Sequence, residues 1–171
     1  MARQCGPVDF TTMQNEGTDG DPVRRRLNTL VGWLKQDLEG IAEIEQRDDG
    51  WFWDVVVRPG RAGPLGFSWL YQGDSADIVL GVDAGGVRWE LGRSVEELDL
   101  MGAIIDALLT GDVTAVFAPG RCEVTVTLGD GSKEVQSSRD FPSGCLPLPG
   151  WSRWGRRVDY GPYCPSADTP G

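Results

Sequence analysis

The sequence predicts an α+β fold: a single-layer antiparallel sheet of about six to eight strands, two helices packed on one face, and an irregular C-terminal tail rich in proline and aromatic residues. Three observations carry that expectation. Two segments, near residues 21–41 and 94–111, repeat apolar residues at helical spacing. Between and after them, short runs alternate apolar with polar residues. The runs are separated by turns rich in Gly, Asp and Pro, too short for the crossovers that parallel strands need.

Residues 1–20 are polar and unpatterned and read as a flexible N-terminal arm. Asp21 then offers an N-cap, and Pro22 suits the first helical position. Val23, Leu27, Leu30, Val31, Leu34, Leu38 and Ile41 form one apolar stripe. Arg24, Arg25 and Arg26 crowd its first turn against the macrodipole, so packing rather than terminal electrostatics must hold this helix. A meander follows. "EIEQ" turns through "RDDG" into "WFWDVVV", which places Trp51, Trp53, Val55 and Val57 on one face and Phe52, Asp54 and Val56 on the other. "FSWLY" and "DIVLGV" read as strands, and "VRWEL" points Val87, Trp89 and Leu91 inward and Arg88 and Glu90 outward. Ser94 to Glu97 form a capping box for the second helix, and Gly111 stops it. "VTAVFA", "CEVTVTL" and "KEVQSSRDF" complete the strands of a domain spanning residues 21–141. In residues 142–171 prolines oppose regular pairing, while Trp151, Trp154, Tyr160 and Tyr163 are too many for a solvated tail. This segment is expected to pack back across the domain as an irregular strap.

Composition excludes more than it assigns. Histidine is absent, which removes the commonest general base and metal ligand, and with them Ser-His-Asp, Cys-His and HExxH arrangements within this chain. No phosphate-cradling glycine motif occurs, and Lys35 and Lys133 are the only lysines. A net charge of −10 disfavours nucleic acid and anionic membrane and favours a basic partner. No apolar run suits a membrane span or a secretory signal, so a cytoplasmic setting is expected. That setting favours free thiols at Cys145 and Cys164, although a disulfide closing their loop would contribute about 3 kcal/mol. Cys122 begins a strand and reads as a buried thiol. No cofactor and no metal site is expected.

Two kinds of site remain. The contact-surface candidates are Arg24, Arg25, Arg26, Trp33, Trp151, Trp154, Arg156, Arg157 and Tyr160, which supply charge and aromatic anchors. The pocket candidates are Asp54, Arg58 and Glu90, a carboxylate and guanidinium set that would lie between sheet and helices if the Asp54 face were covered. If that face is solvated, Asp54 is a surface acid, and Phe52 and Val56 become exposed apolar residues. The order of elements over residues 21–141 loosely resembles the secretion-chaperone-like fold, a resemblance that implies binding of other polypeptides rather than catalysis. The leading expectation is therefore a non-enzymatic protein-binding module of the immunity, antitoxin or chaperone-like accessory kind. An enzyme or small-ligand binder built on the pocket candidates is the alternative, and an acidic mimic of nucleic acid the weaker one.

Overall fold

The structure, a computed structural model, describes residues 21–73, 77–145 and 148–164; the expected N-terminal arm lies outside them. Helix α1 (Pro22–Asp37) starts as its sequence dictates, with the Asp21 carboxylate accepting from the Val23 amide at 3.0 Å. Val23, Leu27, Leu30, Val31 and Leu34 turn inward from it. The chain then runs as a continuous meander through β1 (Ala42–Asp48), β2 (Phe52–Pro59), β3 (Phe67–Gln72), β4 (Ile78–Val82) and β5 (Arg88–Leu91). Each strand pairs antiparallel with the one before it. Helix α2 (Val95–Thr110) follows, capped by the Ser94 hydroxyl, which accepts from the Glu97 amide, and ended by Gly111 at φ 83°.

The expected single layer of six to eight strands is corrected here: the described residues form two sheets, with nine strands between them. The first has five strands in the order β1-β2-β3-β4-β5. The second has four, β8-β7-β6-β9, formed by β6 (Val113–Ala118), β7 (Arg121–Thr127), β8 (Lys133–Arg139) and β9 (Arg156–Tyr160). Buried residues of α2 share one core with the inward faces of both sheets, so a single apolar helix serves two layers. That explains why its buried set, from Leu98 through Leu109, is wider than one stripe.

The expected irregular tail is corrected as well. A four-residue helix, α3 (Trp151–Trp154), leads into β9, which pairs along β6 from Val113↔Tyr160 to Phe117↔Arg156. Pro149 and Pro162 lie on either side of this strand rather than in it, so the ladder keeps its donors. The anchor of the segment is Tyr163. It is fully buried, its hydroxyl donates to Leu65 O at 2.9 Å, its amide donates to Leu109 O, and its ring meets Phe67 edge-on at 6.2 Å. Arg61 donates to the carbonyl oxygens of Pro162 and Tyr163. Cys164 is disulfide-bonded, which overturns the free thiol expected there. The side chain of Cys145 lies outside the described residues.

Candidate functional site

The first sheet has two unlike faces. Trp53, Val55, Val57, Phe67, Trp69, Tyr71, Ile78, Leu80, Trp89 and Leu91 alternate inward and are buried. The outward row opposite each is set by register. Arg47, Asp54, Leu70, Val79 and Glu90 form one line across five strands, and Glu45, Val56, Ser68, Gly81 and Arg88 form the next. The aromatic inner positions select this orientation, because their area dominates the burial gain. Their neighbours are thereby pushed out. Phe52 is 43% exposed and Leu70 37%, Val56 and Val79 are half-buried, and Trp51 at the β1–β2 turn is 63% exposed. Trp51 therefore leaves the buried face on which its spacing placed it.

This arrangement corrects the pocket between sheet and helices. Asp54, Arg58 and Glu90 all lie on the outer face, away from both helices. Arg58 pairs with Glu45 at 2.9 Å and not with Asp54, and the Glu45 carboxylate raises the Arg58 pKa. Glu90 pairs with Arg88 at 3.2 Å. The result is an apolar strip, Phe52, Val56, Leu70 and Val79, bordered by charges of both signs.

Beyond β5 the face drops into a cleft of about 550 Å³ before the second sheet begins at β8. Gly85, Gly86, Arg88 and Glu90 line one wall, and residues 136–140 the other. The main-chain geometry of the walls follows from the register. Val82 N–H donates to Val87 O, so Val87, Trp89 and Leu91 direct their peptide groups to β4, and Arg88 and Glu90 direct theirs into the cleft. Leu128 N–H donates to Ser132 O, and Asp140 N–H to Gly120 O. Glu134, Gln136 and Ser138 thus serve β7, while Val135, Ser137 and Arg139 face the free edge. The two walls touch where the Ser138 hydroxyl donates to Gly85 O. Gly85 holds φ 58°, and a Cβ there would collide with the Cys122 side chain, so this approach of the sheets requires glycine.

The contact-surface candidates are not brought together. Arg24 pairs with Asp48 of β1 and Arg26 with Asp99 of α2, tying α1 to the body. The carbonyl of Arg25 accepts from the Thr29 hydroxyl at 3.1 Å. Trp33 packs half-buried against the core. Trp151 is half-buried, and Trp154 is exposed with its indole nitrogen 3.4 Å from Pro149 O. Arg156 lies over the Phe117 ring at 4.9 Å, Arg157 pairs with Asp159 at 3.3 Å, and Tyr160 is half-buried against the core. These last residues belong to α3 and β9, at the opposite edge of the second sheet from β8.

Sequence reasoning missed Leu70, Val79, Ser137 and Arg139. Leu70 was legible in principle, since Phe67, Trp69 and Tyr71 claim the inner side of "FSWLY". The edge positions of Ser137 and Arg139 carried no local signal. Cys122 is buried, and desolvation by burial, with Asp140 and Glu123 nearby, pushes its thiol up to about 11, so it offers no thiolate near neutrality. Among the described residues no three His, Cys, Asp or Glu converge in a metal-binding group, and no helix is long and apolar enough to cross a membrane. Compared with protein-family models, with curated proteins and with solved structures, the chain shows no match.

Proposed function

We propose that this protein is a binding module that engages another polypeptide through the outer face of its first sheet. One observation carries the reading: Phe52, Val56, Leu70 and Val79 form a partly exposed apolar strip, extended by Trp51, on a face that packs neither helix. Contiguous apolar surface rimmed by charge favours a macromolecular contact. Arg47, Arg58 and Arg88 alternate with Glu45, Asp54 and Glu90 around the strip and would fix the partner's register. The overall charge of −10 favours a basic partner and a salt-dependent encounter. An accessory role of the immunity, antitoxin or chaperone-like kind fits such binding.

The test is capture of a stoichiometric partner from the native host, followed by reconstitution from purified components. Leu70→Glu and Val79→Lys should each abolish the reconstituted complex, while Trp154→Ala in α3, which packs on β6 of the second sheet, should retain it. A partner that binds the strip variants as tightly as the parent protein would refute the assignment.

A further inference from the structure

We infer that, until a partner takes it, the outer face of the first sheet is covered by a second copy of this chain, the two sheets packing face to face about a two-fold axis along β3. The inference rests on the reading of that face as a binding surface and concerns what holds it at rest.

The first ground is the placing of charge. Register puts Arg47 on β1 and Glu90 on β5 at the two ends of one line, and Glu45 and Arg88 at the two ends of the next. The sign therefore reverses across the sheet on each line, and reverses again between the lines. β3 is the middle strand of the five, so a two-fold axis along it exchanges β1 with β5 of the other copy. Arg47 then meets Glu90 of the second copy and Glu45 meets its Arg88, each contact occurring twice by symmetry. A charge pattern that complements itself under a two-fold identifies a second copy as the occupant.

The second ground is the middle of the face. The same operation sets Leu70 against Leu70 and Val56 against Gly81, so the apolar strip meets itself and a bulky residue meets a position without a side chain. Aligned sheets pack about 10 Å apart with strands crossing at about 30°, an offset that the long side chains at the margins span. Arg47, Arg58 and Arg88 nearly balance the carboxylates around them, whereas the whole chain carries −10. Two acidic molecules approach most easily where their charge is locally answered. The outer face of the second sheet offers neither feature. Glu123 and Thr125 separate Val116 from Val135 there, and Arg121 stands opposite Arg139.

The third ground is extent. Strands about 4.8 Å apart and some 20 Å long give five of them a footprint of roughly 500 Å² per copy, below the about 800 Å² of a standard interface. The pairing is therefore weak and exchanging, and a partner can displace it.

The test follows self-association of the full chain by sedimentation velocity through a concentration series. A concentration-dependent dimer is expected. Arg47→Glu and Glu90→Arg should each weaken it about ten-fold or more, because each creates two like-charge contacts. Mixed in equal amounts, the two variants should recover the parent affinity as a heterodimer, since each carries the charge that the other now needs. Neither a role within one chain nor an axis across the strands, which would set Arg47 against Glu45, gives that recovery. Leu70→Cys, placed on the axis, should be joined to its own copy at that position by a short bismaleimide, as mapped by mass spectrometry. A chain that stays monomeric throughout overturns the inference, as does a dimer indifferent to both charge variants or a mixture no tighter than either variant alone. Should the charge variants fail to fold, the cross-link decides, and its absence at position 70 overturns the inference. A monomeric chain whose partner capture is still lost in Leu70→Glu leaves the wider reading standing. A dimer of this symmetry, with capture indifferent to Leu70→Glu, keeps the inference and removes that reading instead.

Discussion

The two sheets share a core but are assembled differently. In the first, every strand pairs with its neighbour in sequence, and four consecutive antiparallel steps close it without distant contributions. In the second, β6 is flanked on one side by β7, which follows it directly, and on the other by β9, which arrives only after β8, a loop and α3. Local pairing incurs little loop-closure entropy, whereas the return of β9 must be held by something that offsets a longer closure. Tyr163, buried beneath β3 and tied to Leu65 and Leu109, holds it. The first sheet thus owes its integrity to hairpins, and the second to a tether that reaches into the first sheet's own core.

The strongest way to break that asymmetry is Tyr163→Ala. Loss of a buried aromatic side chain should cost roughly 3–5 kcal/mol in urea unfolding, with amide exchange accelerating in β6 and β9 ahead of β1–β5. Tyr163→Phe, which removes only the hydrogen bond to Leu65, should cost about 1 kcal/mol. Uniform acceleration across both sheets would show that the two are one cooperative unit. Next comes the seam. Gly85→Val adds a Cβ that meets Cys122 at a φ that L residues avoid, and should destabilise by about 2–4 kcal/mol.

Cys122 reports on the second sheet without any substitution. With its thiol pushed up to about 11, only about a thousandth is thiolate at pH 8, so alkylation should await opening of the sheet. A thiol whose folded value exceeds its unfolded one contributes fully below the unfolded value, near 9. That contribution disappears as pH rises from there toward 11. Native alkylation as fast as that of the urea-unfolded chain would contradict the burial. On the first sheet, Leu70→Glu should cost about 1 kcal/mol, since it sets a second carboxylate opposite Asp54, yet abolish partner capture.

The smallest effects should come from one exposed carboxylate in each sheet. The Gly50 amide and Arg24 hold Asp48 below the usual range, and the Thr114 hydroxyl and Arg157 do the same for Asp159. A lowered folded value contributes stability above the unfolded pKa and loses it as pH falls through the folded one. Asp48→Asn and Asp159→Asn should therefore lower the unfolding midpoint slightly at neutral pH and match the parent protein once the pH has fallen below the lowered folded value. A difference persisting at low pH would point to packing instead.

How much of this could be read from the sequence depended on range. The stripe from Val23 to Leu34, the capping box at Ser94 and the outward turn of Arg88 and Glu90 are local patterns, and each is present in the structure. The division into two sheets is not local. Nothing in "LGRSVEELDL" tells whether the strand after α2 rejoins β5 or starts anew, because the wide apolar surface of α2 accommodates both. The prolines near the C-terminus misled because their number was weighed and their positions were not; they flank β9 and do not enter it. The arginines of α1 looked like a cationic patch, yet Arg24 and Arg26 diverge to acids that lie far along the chain. Edge positions such as Ser137 acquire their meaning only once strand order is known.

The late arrival of β9 has a consequence for synthesis. While the chain emerges from the ribosome, the meander can close as soon as its own hairpins are out, but β6 must wait with one flank bare until residues 156–163 follow. During that interval β6 adds an unpaired edge to the nascent protein, open to mispairing with other chains. Any slowing of translation between β8 and β9 lengthens the exposure, which makes solubility of the newborn chain sensitive to codon choice over that short interval.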